Sequence, residues 1–320
     1  MTSEGPLNAL DFEKYGYQDR GSVGRMIEGR NKNIIDLIDR RKISEADEKN
    51  LEMYAAHESL EVYQNFLNWL FATFGEDESA FRRSCVERLH VGVGSKVLIT
   101  GCGFGSDIPF CREKVGFDGE VHAQDLSRFM IAHAGSLISE DNVLLTVSNA
   151  LDLPYVDGYF DAVFHFGGIN LFGDVRRAIS EMHRVCRSGG RVVFGDESVA
   201  PSLRETDYGK IAIRNNKLWN ASVPLDLLPE EALEIRLEYV LGNCFYIISY
   251  VKGDSHPYMN IDLEHLGIRG GSMRTRFYGE VEGVTASAKE KLYATARRRG
   301  ISAHQLLTQL IESMDGPEYC

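Results

Sequence analysis

A chain of 320 residues, 43% hydrophobic and 26% charged, is long enough to bury roughly 75% of its unfolded surface in one or two domains. Its formal net charge of −12 argues against a nucleic-acid partner, because phosphate contacts require a concentrated basic face. Its six cysteines form no CxxC pair and have no companion histidines at zinc spacing, which argues against a metal site or a disulfide framework. The opening MTSEGPLNALDFEKYG lacks a charged leader followed by an apolar core, and no run of about 18 apolar residues occurs, so the expectation is a cytoplasmic protein with no membrane span.

Residues 1–40 are polar and weakly patterned, with a short apolar cluster at Ile34, Ile35, Leu37 and Ile38, and read as a covering segment. From Ser44 a Ser cap, acids in the first turn and a stop at Gly75 predict a helix or a broken pair of helices. Tyr54, Val62, Tyr63, Phe66, Leu67, Trp69, Leu70, Phe71 and Phe74 make its second half apolar around much of its circumference. Such a helix packs into a core, or lends part of its aromatic surface to the roof of a substrate pocket. This N-terminal helical cover is expected to end at residue 93.

Residues 94–253 then read as one domain, in which strands and helices alternate between Lys96 and Ser198. KVLIT, EVHAQ, NVLLTV, FDAVFHF and GRVVFG read as strands, and 106–116, 127–138 and 174–187 as helices. That rhythm predicts an α/β fold, a doubly wound, mostly parallel sheet whose ligand crevice lies at the carboxyl ends of the strands where strand order reverses. A mainly helical insert over 199–233 follows. RLEYVL, a Gly-Asn pair and CFYIISYV then predict a terminal antiparallel hairpin. In the C-terminal extension, 254–320, two short helices hinge at Gly300 with Ser302 capping the second. The spacing is loosely that of ribbon-helix-helix dimers, but the preceding YGEVEG carries acids where a DNA reader needs basic or amide side chains. The extension is therefore expected to pack on the domain or on a second subunit, which makes a homodimer the expected assembly.

The most telling stretch is VLITGCGFGSD, residues 97–107. A phosphate-cradling P-loop needs a Gly-Lys-Ser/Thr ending that is absent here, and a dinucleotide G-x-G-x-x-G would place its third glycine at position 106, which is Ser106. What remains is G-x-G-x-G at Gly101, Gly103 and Gly105, a loop that lets backbone approach a ligand closely. Twenty residues after Gly105, Asp125 closes the second strand, where a carboxylate can accept both hydroxyl protons of a ribose or cap the helix that begins beyond it. After the third strand comes SNALDLPYVDGYFDAV, a polar residue, Ala, a Leu-Pro turn and Phe-Asp leading into a fourth strand.

Over roughly residues 94–252 these landmarks, in this order, resemble the class I S-adenosylmethionine-dependent methyltransferases, especially the small-molecule branch related to quinone-biosynthesis C-methyltransferases (methyltransferase type 11). The resemblance implies S-adenosyl-L-methionine as cofactor. It implies contact with the methionine and ribose through Gly101, Gly103 and Gly105, and hold of the ribose by Asp125, with Leu126 beside it. It implies adenine contact at Asn149 and Ala150, and flanking of the methionine end by Phe166 and Gly167. The chain departs from the family pattern twice. Ile99 stands where an acid two residues before the first glycine usually helps to hold the methionine amine, with Asp107 or an acid from the N-terminal segment as substitute. Asn149 stands where Asp is common, and its carbonyl oxygen can still accept from the adenine amino group.

The acceptor is expected to be a small molecule. A phenol or carbon acid benefits from a base, for which His165, Asn170, Asp196 and Glu197 lie near the carboxyl edge of the sheet. Adjacent carboxylates in a cleft can push one pKa upward, though acids at strand ends also cap helices or bind arginines, and alternation in FDAVFHF can place His165 in the packing. Tyr208, Arg214, Asn215, Asn216 and Trp219 in the insert are further pocket candidates. Arg269, Arg274 and Arg276 form a possible clamp for a carboxylate or phosphate, or tie the tail to the domain. The competing functions are a nicotinamide-dependent oxidoreductase and a non-catalytic nucleoside-binding or regulatory protein.

Overall fold

The computed structural model describes residues 4–6, 14–18, 25–27, 34–53, 58–278 and 284–314. The chain divides into two compact units, Met1–Pro257 and Tyr258–Cys320.

In the first unit the elements run β1 (Glu4–Pro6), β2 (Arg25–Ile27), β3 (Ile34–Asp36), α1 (Glu45–Met53), α2 (Glu58–Phe74), α3 (Glu78–Glu87), β4 (Lys96–Thr100), α4 (Ile108–Val115), β5 (Glu120–Asp125) and α5 (Arg128–Leu137). They continue β6 (Val143–Val147), β7 (Phe160–Phe166), α6 (Val175–Val185), β8 (Cys186–Glu197), α7 (Asp207–Asn215), β9 (Ala232–Val240) and β10 (Phe245–Lys252). The described residues form one sheet in the order β1-β2-β3-β6-β5-β4-β7-β8-β10-β9. Strands β3, β6, β5, β4, β7 and β8 pair parallel in succession, whereas β10 is antiparallel to both β8 and β9. The sheet is thus the predicted mixed one, mostly parallel and finished by a hairpin. At the hairpin turn Leu241, Gly242 and Asn243 take φ of 47°, 61° and 60°, a left-handed run that a Gly-Asn pair tolerates better than most sequences.

Why these segments are strands is visible in their burial. Val97, Leu98 and Ile99 of β4 and Val143, Leu144 and Leu145 of β6 are all buried, as expected of parallel strands covered on both faces. Two apolar clusters occupy the two faces. One gathers Val97, Ile99, Val121 and Val193 with α2, α3 and α4, and the other gathers Leu98, Val163, Val192 and Phe194 with α6.

Two differences from the sequence reading, at the Ile34 cluster and in the aromatic half of α2, have physical causes. The Ile34 cluster does not merely cover the sheet: Ile34–Asp36 pairs parallel with Leu145–Val147 of β6, burying Ile34 and Leu37 and satisfying an otherwise open strand edge. The segment from Ser44 to Gly75 is the broken pair of helices α1 and α2; Tyr54 lies outside the described residues. The aromatic half of α2 is divided, with Leu67, Leu70 and Phe71 in the core and Trp69 43% exposed. In the insert, α7 and two 3-10 turns at 217–220 and 225–227 give the expected helical character.

The second unit contains α8 (Met273–Tyr278), α9 (Ala286–Arg299) and α10 (Ala303–Glu312). Gly300 ends α9 with φ 64°, and Ser302 opens α10 with a reciprocal capping box to Gln305, the hinge the sequence predicts. Of YGEVEG, Tyr278 closes α8 and residues 279–283 lie outside the described residues. Arg274 is tied to Asp262 at 2.7 Å and Arg276 to the Gly270 carbonyl at 2.6 Å, so both guanidinium groups have partners within this unit.

Candidate functional site

Strand order reverses at β4, with β5 and β6 on one side and β7 and β8 on the other. The loops leaving β4, β5, β6 and β7 at that point surround a cavity with ≈ 940 Å³ of space, its open mouth included, within the range of small-molecule sites.

The loop after β4 forms its floor. Gly103 has φ 54°, a conformation costing an L-residue roughly 1–2 kcal/mol. Among the described residues, a Cβ built there would meet nothing nearer than the Tyr63 hydroxyl at 4.0 Å, so it would stand in the cavity. The bare backbone leaves that space to a ligand. Gly105 serves another purpose. It is not part of the lining, and a Cβ there would press on Ala134 at 3.0 Å and Ile108 at 3.1 Å, so it permits α4 and α5 to pack beneath the loop.

At the end of β5 the Asp125 carboxylate organises the next wall. One oxygen accepts the Gly103 N–H at 2.9 Å and the other the Ser127 N–H at 2.8 Å. It therefore ties the glycine loop to β5 and fixes the turn before α5, whose N-cap is Ser127 rather than Asp125, and a carboxylate's remaining lone pairs can still accept from a ligand. Burial raises its pKa above the ordinary carboxylate value, against the lowering effect of the Ser127, Gly103 and Leu126 N–H groups. Beyond β6, Asn149 accepts the Leu151 N–H at 2.9 Å and donates to Asp47 at 3.1 Å. Asp47 comes from α1, where it also accepts from the backbone and hydroxyl of Ser44.

The far wall comes from β7. His165 is fully buried and lines the cavity. Its Nδ1 lies 2.8 Å from the Thr100 carbonyl; a carbonyl only accepts, so Nδ1 carries the proton and Nε2 is the basic nitrogen. Nε2 is buried and has no partner among the described residues. Desolvation outweighs the opposing effects of the Thr100 carbonyl and of Asp196 and lowers the imidazole pKa below 6.5. Phe172 packs against the ring at 5.2 Å between centroids.

Of the residues picked out from the sequence, the structure brings together Gly101, Gly103, Asp125, Leu126, Asn149, Ala150, His165, Phe166 and Gly167. Asp196 and Glu197 lie outside the lining. Asp196 instead accepts the backbone N–H of Asn170 at 2.7 Å and of Glu197 at 2.8 Å, fixing the turn after β7, while Asn170 spends its amide on the Glu197 carbonyl at 2.9 Å. The insert candidates Tyr208, Arg214, Asn215, Asn216 and Trp219 are also outside the lining; Trp219 is 3% exposed and stacks on Phe74.

Tyr63, from the aromatic surface of α2 offered as a pocket roof, does line the cavity, whereas sequence reasoning missed Asp47, Asn50, Arg82 and Phe172. Two of these left a signal. Ser44 and Asp47 have the spacing of a reciprocal cap, and Arg82 falls on the same helical face as Cys85 and Val86, both 1% exposed, where a charge needs a partner.

Comparison with known proteins agrees with the fold. Residues 98–194 match the family described as "Methyltransferase domain". A demethylmenaquinone methyltransferase of Alkalihalophilus pseudofirmus is 27% identical over 60% of this chain and 85% of that protein. Methyltransferase GfsG of Streptomyces halstedii is 33% identical over 37% of this chain and 43% of that protein. The chain spans about half the length of several other demethylmenaquinone methyltransferases. Among solved structures, phosphoethanolamine N-methyltransferase 2 of Haemonchus contortus, in complex with S-adenosyl-L-methionine, shares the fold with a TM-score of 0.51 at 14% identity, covering 64% of this chain and 60% of that one.

Proposed function

We infer that this chain, which carries a class I S-adenosylmethionine-dependent methyltransferase domain, moves a methyl group from that cofactor to a small-molecule acceptor whose reacting atom must lose a proton. The observation that carries the acceptor assignment is the buried Nε2 of His165 in the cavity wall, without a partner among the described residues. An unsatisfied buried acceptor costs about 1–3 kcal/mol, and a proton-bearing ligand would relieve that cost.

The residues present fit the cofactor. Gly103 leaves space that any Cβ would fill, and Asp125 retains acceptor capacity for two vicinal hydroxyls beyond its two backbone bonds. Asn149 keeps a lone pair on its carbonyl oxygen for an exocyclic amine, beside the small Ala150. Asp47, Asp107 and Asp125 outnumber the single guanidinium of Arg82 in the lining, an electrostatic bias toward a cation. When bound, the cofactor supplies a sulfonium methyl open to in-line displacement.

The protein's own contribution is alignment, water exclusion and proton handling. Asp125 and the glycine loop fix the nucleoside against β4 and β5. Phe166, Leu171 and Phe172 form an apolar wall toward the acceptor. His165, held by Thr100 in the tautomer with a basic Nε2, accepts the proton that the acceptor releases. Because its pKa is lowered, the basic form is present throughout the neutral range.

The test pairs a transfer assay with calorimetric binding of S-adenosylhomocysteine beside NAD, on wild type and His165→Asn. The Asn amide can keep the bond to Thr100 while deleting Nε2. The wild type should prefer S-adenosylhomocysteine, and the variant should keep that affinity while kcat falls about 100-fold. Preference for NAD would discard the cofactor assignment, and an unchanged kcat would discard the base.

The same reading places the protein in the cytoplasm, without a nucleic-acid partner and as a homodimer. Among the described residues no helix is long and apolar enough to cross a membrane. Leu310 and Ile311 on α10 and Met314 just beyond it are exposed, which supports pairing between copies. Light scattering should give twice the 35.9 kDa chain mass; a monomer mass would remove the dimer.

A further inference from the structure

The position two residues before the first loop glycine is Ile99, which is 1% exposed and belongs to the apolar cluster on one face of the sheet. It can hold no ammonium group. An ion pair stands at the glycine loop instead, its arginine from outside the matched methyltransferase region and its carboxylate from within it. Arg82 of α3 and Asp107 are each 7% exposed, and both line the cavity beside Gly103 and Ser106.

The pair is built with capacity to spare. Arg82 Nη1 lies 2.9 Å from each oxygen of Asp107, and its Nε donates to Glu78 at 2.7 Å. Nη2 makes no hydrogen bond among the described residues, although Nε and Nη1 of the same guanidinium are committed to the half-buried Glu78 and the buried Asp107. Asp107 stands at the N-cap of α4, but its carboxylate makes no capping bond, and each oxygen keeps a lone pair beyond the one directed at Arg82. One donor nitrogen and one acceptor carboxylate are therefore left next to each other. Asp125 and Asn149, the groups suited to ribose and adenine, follow β5 and β6. Arg82 and Asp107 border the loop that follows β4.

We propose that the Arg82–Asp107 pair reads the zwitterionic amino-acid end of the bound cofactor, with Arg82 Nη2 donating to its carboxylate and Asp107 accepting from its ammonium group. This rests on the cofactor reading given above. The pair does from α3 and the N-cap of α4 what an acid at position 99 would otherwise share in. It also makes recognition of the amino-acid portion depend on a helix that precedes the nucleoside-binding core in sequence.

The experiment is calorimetric titration of the full chain with two ligands that differ only at this end: S-adenosylhomocysteine, and 5′-methylthioadenosine, which keeps the adenosine and sulfur but has no amino-acid group. Wild type should favour the first. Arg82→Lys, which retains a charge but removes Nη2, and Asp107→Asn should each lower affinity for S-adenosylhomocysteine about 30-fold. Affinity for 5′-methylthioadenosine should stay within about 2-fold of wild type, and thermal melts report whether each variant is folded. Two variants are used because breaking a buried pair can unfold one of them. An equal loss for both ligands in a folded variant would mean that the pair only supports the structure, overturning the proposal. Wild type that binds the two ligands equally well overturns it too. Wild type that binds neither ligand sinks the cofactor reading itself, a failure distinct from the other two.

Discussion

Asp125→Ala is expected to weaken S-adenosylhomocysteine binding about 100-fold, from two hydrogen bonds to a charged acceptor at roughly 1.5 kcal/mol each. The loss has two sources in the structure. The carboxylate that would accept the ribose hydroxyls disappears, and the Gly103 N–H loses the oxygen that holds it at 2.9 Å, so the loop is no longer set for the ligand. Asp125→Asn separates them. Its amide oxygen can still serve one of the two backbone donors, so it should lose only about 10-fold. Because burial raises the Asp125 pKa, affinity should also start to fall at a higher pH on acidification than for an ordinary aspartate. Calorimetry across a pH series reads all three effects, with circular dichroism to show that the variants are folded. Unchanged affinity in the Ala variant would remove Asp125 from the nucleoside site.

The second large effect concerns stability. Glu197 is pushed up from 4.5 to about 9, first by burial and then by its hydrogen bond to Asp196 and the adjacent charge. The sign follows from linkage. Below pH 4.5 the carboxyl is protonated folded or unfolded. Between 4.5 and about 9 the unfolded chain releases the proton while the folded chain retains it, so stability present at low pH is lost as pH rises through the folded value. The loss should be on the order of a few kcal/mol, shared with its coupled neighbour. Glu197→Gln, whose amide can donate to Asp196 as the protonated acid does, should remove this dependence. Urea midpoints at about pH 5, 7 and 9 should show a gain over wild type that grows steadily with pH. A gain that stays constant with pH would mean that Glu197 does not titrate in this window.

Much was legible because parallel strands buried on both faces leave an unmistakable text. KVLIT and NVLLTV each hold an uninterrupted run of three β-branched or aliphatic residues, and glycines at alternate positions after the first suit a tight turn, a close backbone approach or tight packing. The residue-level landmarks were legible for the same reason: Gly101, Gly103, Asp125, Asn149 and Gly167 sit at strand ends, and strand ends of this topology converge at one edge. Local capping was equally readable, as Gly300 and Ser302 show.

Three matters were decided only by tertiary structure. Which of the glycines leaves its space open to the cavity depends on α5, because Ala134 fills the space below Gly105 and, among the described residues, nothing crowds Gly103 within 4 Å except the Tyr63 hydroxyl at its limit. Which polar group of the carboxyl edge reaches the cavity depends on where neighbouring loops spend their backbone donors. The Asn170 and Glu197 N–H groups occupy Asp196, leaving His165 rather than the acids at the wall. Arg82 and Asp107 are separated by 25 residues, and a buried guanidinium becomes tolerable only when a carboxylate from another element meets it. Hydrophobic period and turn chemistry are local, and the sequence by itself determined the strands, the caps and the fold class through them. Charge pairing and close approach are relations between distant segments, and only the folded chain decided those.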